Sequence, residues 1–305
     1  MIEAVSIKNL RGIREGTLEG LTPLVVLVGP NSSGKSTILD ALLIGASWNP
    51  DQGIGQALRR RSSVHSTGRW LFWRSGEAGE ADIEVKSSSG DTRHRSLGKA
   101  QNGGITVMKR SDDPSVAPIV AEICLVEPHG GGNPEPLPLL YSRAVERGLR
   151  AQVTAMIAEL LRGVIGIEIL IDELNNPVVH LVYADHSVPV GLEGDGIQSL
   201  IRMGLEFAAR QGGVVLLEEP EIHQHPAAIR QTARAIVAAV RRGIQVVLST
   251  HSLELIDALT DELKDEELSL LSLYRLKLDD GLLRHSRLDG KAVLHSRGEI
   301  GDDLR

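Results

Sequence analysis

Apolar positions along this chain fall into two rhythms. Residues 4–10 alternate as a strand does, and residues 24–28 are five consecutive Leu and Val, the mark of a strand buried on both faces. Residues 37–44 continue as an apolar helix. From 48 to 110 the chain turns polar and rich in Gly and Ser, with short strand patterns only at 83–86 and 105–109. Residues 128–138, which hold three Gly and four Pro, read as loop. Apolar residues at Val145, Leu149, Val153, Ile157 and Leu160 give a helical period across 142–161. Segments 167–171 and 178–183 pair as a hairpin about Asn175-Asn176-Pro177. A helix (197–210), a strand (214–217), a helix (227–242), a strand (245–249) and a helix (253–259) then alternate, which predicts a mostly parallel sheet. A last hairpin, 270–278 with 282–288, turns at Asp279-Asp280-Gly281. No internal repeat and no sustained heptad run is present.

Composition bounds this picture. At 305 residues, 42% hydrophobic and 24% charged, the chain is globular and long enough for a sizeable core. No apolar run approaches the ~18 residues of a membrane span. One cysteine, Cys124, excludes an intrachain disulfide or a Cys-based zinc cage. With no signal-peptide pattern at the start, a cytoplasmic location is expected. Net charge is −7 but uneven: residues 51–110 carry 11 Lys and Arg against 6 Asp and Glu, whereas 253–305 carry 8 against 13. Arg59, Arg60, Arg61, Arg69, Arg74, Arg93 and Arg95 therefore form a candidate phosphate-tracking face for DNA or RNA. Trp70-Leu71-Phe72-Trp73 reads as core rather than as a base-stacking platform.

Four segments carry chemistry. Gly29-Pro30-Asn31-Ser32-Ser33-Gly34-Lys35-Ser36 fits G-x-x-x-x-G-K-[ST] without mismatch, between a buried strand and a helix. Its glycines permit a tight loop of inward-facing N–H groups, closed by the N-terminus of the helix that continues through Thr37. Lys35 offers a cation to the β- and γ-phosphates, and the Ser36 hydroxyl ligates Mg²⁺. Next, Glu218 and Glu219 end an apolar strand. Glu218 is assigned to Mg²⁺ through water and Glu219 to the attacking water as base. His251, in Ser249-Thr250-His251-Ser252, again ends a strand and can bond a γ-phosphate. Gly194-Asp195-Gly196 opens a helix where a phosphate can approach closely, and the Asp195 side chain is expected to cap that helix. The ten His, including His223 and His225, show no zinc-site spacing.

Together these segments resemble the ABC-type ATPase heads of the SMC, RecF and OLD group, over residues 1–262. Glu218–Pro226 is similar to that group's acidic segment and dimer-contact loop, and Lys8-Asn9-Leu10-Arg11-Gly12 to its N-terminal strand end, which adds Arg11 as a cofactor contact. The resemblance implies an α/β P-loop fold: a mostly parallel sheet with helices on both faces, an antiparallel β subdomain and a helical signature lobe. It implies two lobes in one head, 1–115 with 212–305 and 116–211. It further implies Mg-ATP at a homodimer interface, with Gly194, Asp195 and Gly196 reaching the partner's γ-phosphate. Glu218 stands where the family more often has Asp. The signature turn is not that of a transporter, the Q-loop glutamine has only Gln52 and Gln56 as candidates, and 54 residues after His251 are too few for a Toprim nuclease. The expected function is Mg-dependent ATP hydrolysis in a nucleic-acid-associated or phage-defence assembly with a separate effector protein. The alternatives are a non-hydrolysing ATP sensor and a transport ATPase. A GTPase is disfavoured because no Asn is followed by Lys.

Overall fold

The computed structural model describes residues 1–59, 68–76, 79–99, 105–110, 119–120, 122–127, 135–159 and 161–305. Among the described residues eleven strands form one mixed sheet. In chain order its members are β1 (Ile2–Leu10), β2 (Ile13–Glu19), β3 (Leu24–Val28), β4 (Glu80–Ser87), β5 (Thr92–Lys99), β6 (Ile105–Arg110), β7 (Ile123–Val126), β11 (Val214–Glu218), β12 (Gln245–Ser249), β13 (Leu271–Asp279) and β14 (Leu282–Asp289). The remaining strands, β8 (Gly166–Ile171), β9 (Pro177–Val182) and β10 (Ser187–Pro189), make a separate antiparallel sheet. Spatial order in the large sheet is β6-β5-β4-β1-β2-β14-β13-β3-β12-β11-β7. Its β13-β3-β12-β11-β7 part is parallel, and β2-β1-β4-β5-β6 is antiparallel. The antiparallel strands thus continue the parallel sheet.

The helices are α1 (Lys35–Ala46), α2 (Pro50–Arg59), α3 (Leu137–Glu146), α4 (Arg150–Ala158), α5 (Asp195–Ala208), α6 (Pro226–Arg241), α7 (Leu253–Glu262) and α8 (Gly290–His295). Strand alternation explains the two-sided core. Val25, Leu27, Val214, Leu216 and Val247 face one cluster, which α1 fills. Leu24, Val26, Val28, Val215, Leu217, Val246 and Leu248 face the other, under α5, α6 and α7. Helix α1 is apolar nearly all round because it is buried nearly all round. A Cβ on its Gly45 would lie 2.5 Å from Val85, so only glycine lets the helix backbone come this close to β4. A third core joins α3, α4 and α5 to the small sheet.

Several details differ from expectation. The helix predicted across 142–161 is broken: α3 ends, Gly148 takes φ +71°, and α4 begins at Arg150. Leu160 lies outside the described residues. Strands β2, β5, β7 and β10 and helices α2 and α8 were not legible as elements. Strand β7 falls within the 116–211 stretch yet pairs in parallel with β11 in the large sheet. The Asn175 turn is built as expected, with Asn175 at φ +63° and the Asp172 carboxylate accepting from Leu174 and Asn176 N–H groups. Leu71 and Phe72 are buried, while Trp70 is exposed. Among the described residues no helix is long and apolar enough to cross a membrane.

The basic face needs a larger correction. Arg93 and Arg95 are buried. Arg93 Nη1 donates to Ala46 O at 3.4 Å and Arg95 Nη2 to Ser47 O at 3.2 Å. Helix α1 has no basic residue in its last turn, so these two guanidiniums, reaching over from β5, meet the negative end of its dipole. Arg74 pairs with Asp280 at 3.2 Å. Arg60 and Arg61 lie outside the described residues, as does the Arg69 side chain, which leaves Arg59, exposed at the end of α2.

Candidate active site

Three adjacent parallel strands, β3, β12 and β11, end on one edge of the sheet, and each delivers part of the site there. From β3 the chain turns at Gly29, φ +142°, where a Cβ would strike Leu276 O at 2.5 Å. Ser32 (φ +63°) and Gly34 (φ +98°) close the loop, and Ile38 N–H bonds Gly34 O at 3.0 Å as α1 starts. Lys35 Nζ is folded back, donating to Gly29 O at 2.8 Å and Pro30 O at 3.1 Å. Burial lowers its pKa, opposed by the carboxylates of Glu219, Glu218 and Glu221. A largely buried ammonium held over an open loop is poised for an anion.

Glu218 is in register with Ser249 on β12, and the Ser36 hydroxyl donates to Glu218 Oε1. The two oxygen donors assigned to Mg²⁺ are therefore in contact although they lie 182 positions apart. No group of three or more His, Cys, Asp or Glu suited to a metal occurs among the described residues. One carboxylate and one hydroxyl do suit Mg²⁺, which keeps waters and shares its ligands with substrate phosphates.

Glu219 follows with φ +44°, a backbone conformation unusual for a non-glycine residue, held by its N–H to Ser249 O at 2.9 Å. Such strain is retained where a side chain must be aimed. His251 Nε2 lies 3.6 Å from Glu219 Oε1. Burial and the nearby Lys35 lower the His251 pKa against the pull of Glu219, which favours the uncharged imidazole. A cavity of about 340 Å³ opens between these groups, lined by Arg11, Gly12, residues 31–37, Glu219, His251 and Leu278.

Most predicted site residues thus converge. Gly29 and Pro30 serve through their carbonyls, and Glu218 through Ser36. Arg11 reaches the cavity wall but is tied down: its Nε forms an ion pair with buried Asp40 at 2.8 Å and its Nη2 donates to Ala57 O at 2.7 Å. Gln56, a Q-loop candidate, donates to Leu125 O at 3.2 Å, and Gln52 is exposed. Gly194, Asp195 and Gly196 do not line this cavity. Gly194, not Asp195, occupies the N-cap of α5, and no side chain caps it. The expected Asp195 cap is absent because the helix begins at Asp195, two residues earlier than the periodicity suggests, leaving Asp195 in the first turn as a favourable dipole partner. A Cβ on Gly196 would meet His223 O at 2.5 Å, so this glycine packs α5 against the loop that follows Glu219. His225 caps α6, its Nδ1 accepting from Ala227 N–H at 3.3 Å. Reasoning from sequence missed Glu221 and Thr250, which lie between these parts; only their position beside Glu219 and His251 signalled them.

A family profile described as "AAA domain" matches residues 4–114. Another, "AAA domain, putative AbiEii toxin, Type IV TA system", matches residues 162–257. An uncharacterised protein of Methanocaldococcus jannaschii is 30% identical over 113 residues, 37% of this chain and 98% of that protein. The DNA double-strand break repair Rad50 ATPase of Pyrococcus abyssi is 31% identical over 93 residues, 30% of this chain and 9% of its own. The OLD nuclease of Thermus scotoductus is 25% identical, across 83% of this chain and 59% of its own. The chain therefore spans only part of both named relatives. An SMC head bound to the C-winged helix domain of ScpA superposes with a TM-score of 0.64 at 13% identity, covering 94% of this chain and 97% of that one. The SMC head of Thermotoga maritima gives a TM-score of 0.53 at 14% identity, covering 94% and 98%. With a phosphate loop, an acidic strand end and a strand-end histidine on one sheet edge, in a fold shared with SMC heads and a sequence akin to Rad50 and OLD proteins, the chain belongs to the ABC-type ATPase heads of the SMC, RecF and OLD group.

Proposed function

We propose that this chain binds Mg-ATP in the cavity above α1 and hydrolyses it between two copies of itself. The observation that carries the reading is the meeting of Ser36 with Glu218 and of Glu219 with His251 around one cavity. The loop N–H groups and Lys35 bind the phosphates, Lys35 exchanging its internal carbonyl partners for the β- and γ-oxygens. Ser36 and Glu218 would hold Mg²⁺, which when bound neutralises charge between those oxygens. Glu219 orients a water and accepts its proton as the water oxygen bonds the γ-phosphorus and the β–γ bridging bond breaks. Neutral His251 donates to a γ-oxygen.

In this reading Gly194, Asp195 and Gly196 cover the partner's nucleotide, and the head divides into a lobe built on the large sheet, β7 included, and a signature lobe of α3, α4, α5 and the small sheet. The likeness to Rad50 and SMC proteins supports a nucleic-acid-associated or defence assembly in which ATP sets the state of a separate effector protein. Lys35→Ala tests the site. Losing the charge-assisted contacts weakens ATP binding by about 2–4 kcal/mol, or about 30- to 1,000-fold. Unchanged affinity in a calorimetric titration rules the site out.

A further inference from the structure

Glu221 has no part in the mechanism above, yet its carboxylate is bonded to the turn that carries His251. It lies on the loop between β11 and α6. Its Oε1 accepts from the Thr250 hydroxyl at 2.6 Å and from the His251 backbone N–H at 3.1 Å. Thr250 Oγ1 in turn accepts from Ser252 N–H at 2.9 Å, and Ser252 caps α7, so one carboxylate oxygen anchors the whole turn that presents His251. The other oxygen, Oε2, is buried and has no hydrogen-bond partner among the described residues. Burial and the neighbouring Glu219 both push the Glu221 pKa up, while the Thr250 and His251 bonds oppose that rise. A carboxyl group with a buried, unbonded oxygen is destabilising, and the fold would be served at less cost by an apolar side chain. The same loop holds Glu219 at one end. Further along, its His223 carbonyl and Gln224 Cα lie against Gly196 at the start of α5. Gln224 is fixed there by the Thr232 hydroxyl at 2.7 Å.

We infer that Glu221 is a positioning residue for ATP hydrolysis: through Thr250 and the His251 N–H it sets His251 opposite Glu219. Because the loop that carries it also seats Gly196, it ties the γ-phosphate end of the chain's own site to the turn that addresses a partner's nucleotide. Glu221 touches no reacting atom and acts through His251. This inference rests on the ATPase reading above.

The test is a double-mutant cycle between Glu221→Ala and His251→Ala, with Glu221→Gln as the conservative rescue. Both kcat and the ATP dissociation constant are measured for each variant. If Glu221 works through His251, Glu221→Ala lowers kcat about 10- to 100-fold while ATP affinity changes less than about threefold. The double variant is then no slower than His251→Ala alone, and Glu221→Gln, which keeps an acceptor oxygen, retains most of the rate. Multiplicative losses, or a loss confined to ATP affinity, overturn the assignment. Amide hydrogen exchange at His251 gives a readout that needs no turnover. Exchange should speed up in Glu221→Ala and stay slow in Glu221→Gln; equal protection in all three proteins refutes the anchor. If wild-type protein hydrolyses no ATP, the ATPase reading falls, and the exchange arm still decides whether Glu221 holds the His251 turn. Should Glu221→Ala not fold, Thr250→Val removes the hydroxyl arm of the same anchor and is put through the same cycle.

Discussion

Two neighbouring carboxylates at the end of β11 are given different work by backbone alone. Glu218 continues the strand and meets Ser36, while Glu219, at φ +44°, swings to the cavity side facing His251. Glu219→Gln keeps the shape and removes the proposed base. Single-turnover hydrolysis should fall about 10²- to 10⁴-fold with ATP still bound. If Glu218→Gln abolishes turnover and Glu219→Gln does not, the roles are reversed. His251 carries a pH signature. Its folded pKa lies below the ordinary value near 6.5, so the unfolded chain binds the extra proton first. The stability it confers is complete above the unfolded pKa and is lost as pH falls through that value toward the folded one. Thermal melts from pH 7.5 to 5.5 should show a smaller loss of midpoint in His251→Asn than in wild type. An unchanged loss means that His251 is not the group responsible.

What the chain displays of its elements follows from where apolar residues stand. Strands β3, β11 and β12 are bare Val and Leu runs buried on both faces, and these three position the site, so the site was legible. Strand β5 was not, because its sequence Thr-Arg-His-Arg-Ser-Leu-Gly-Lys places Arg93 and Arg95 on the buried face. Charge there imitates a surface, although both guanidiniums reach carbonyls at the end of α1. Helix α2 holds two glycines and only Ile54 and Leu58 as large apolar residues, and β2 buries only Ile13 and Leu18 fully, so neither shows a strong apolar pattern. The break between α3 and α4 turns on Gly148, which an apolar spacing of four runs straight through. These buried arginines make a stability prediction in place of a nucleic-acid one. Arg95→Met leaves the Ser47 carbonyl without its guanidinium donor and should cost about 1–3 kcal/mol in urea denaturation, with ATP affinity at low temperature unchanged. A variant as stable as wild type contradicts the capping role.

A phosphate loop at a sheet edge covers one side of a triphosphate, and the cavity here is open on the other. In the proposed dimer, a second head supplying the start of α5 closes it, excludes water and strengthens each contact to the γ-phosphate. Two-fold symmetry then builds two such sites per dimer and links nucleotide binding to association. The residue to perturb is Gly194 rather than Gly196. A side chain at Gly196 collides with His223 O of its own chain, whereas a Cβ on Gly194 meets nothing within 4 Å. The measurement that bears most directly on this account is sedimentation of Glu219→Gln protein with and without Mg-ATP. The predicted result is a dimer formed with nucleotide and lost on its removal, abolished by adding Gly194→Trp. One oligomeric state throughout, indifferent to Mg-ATP and to Gly194→Trp, would contradict it.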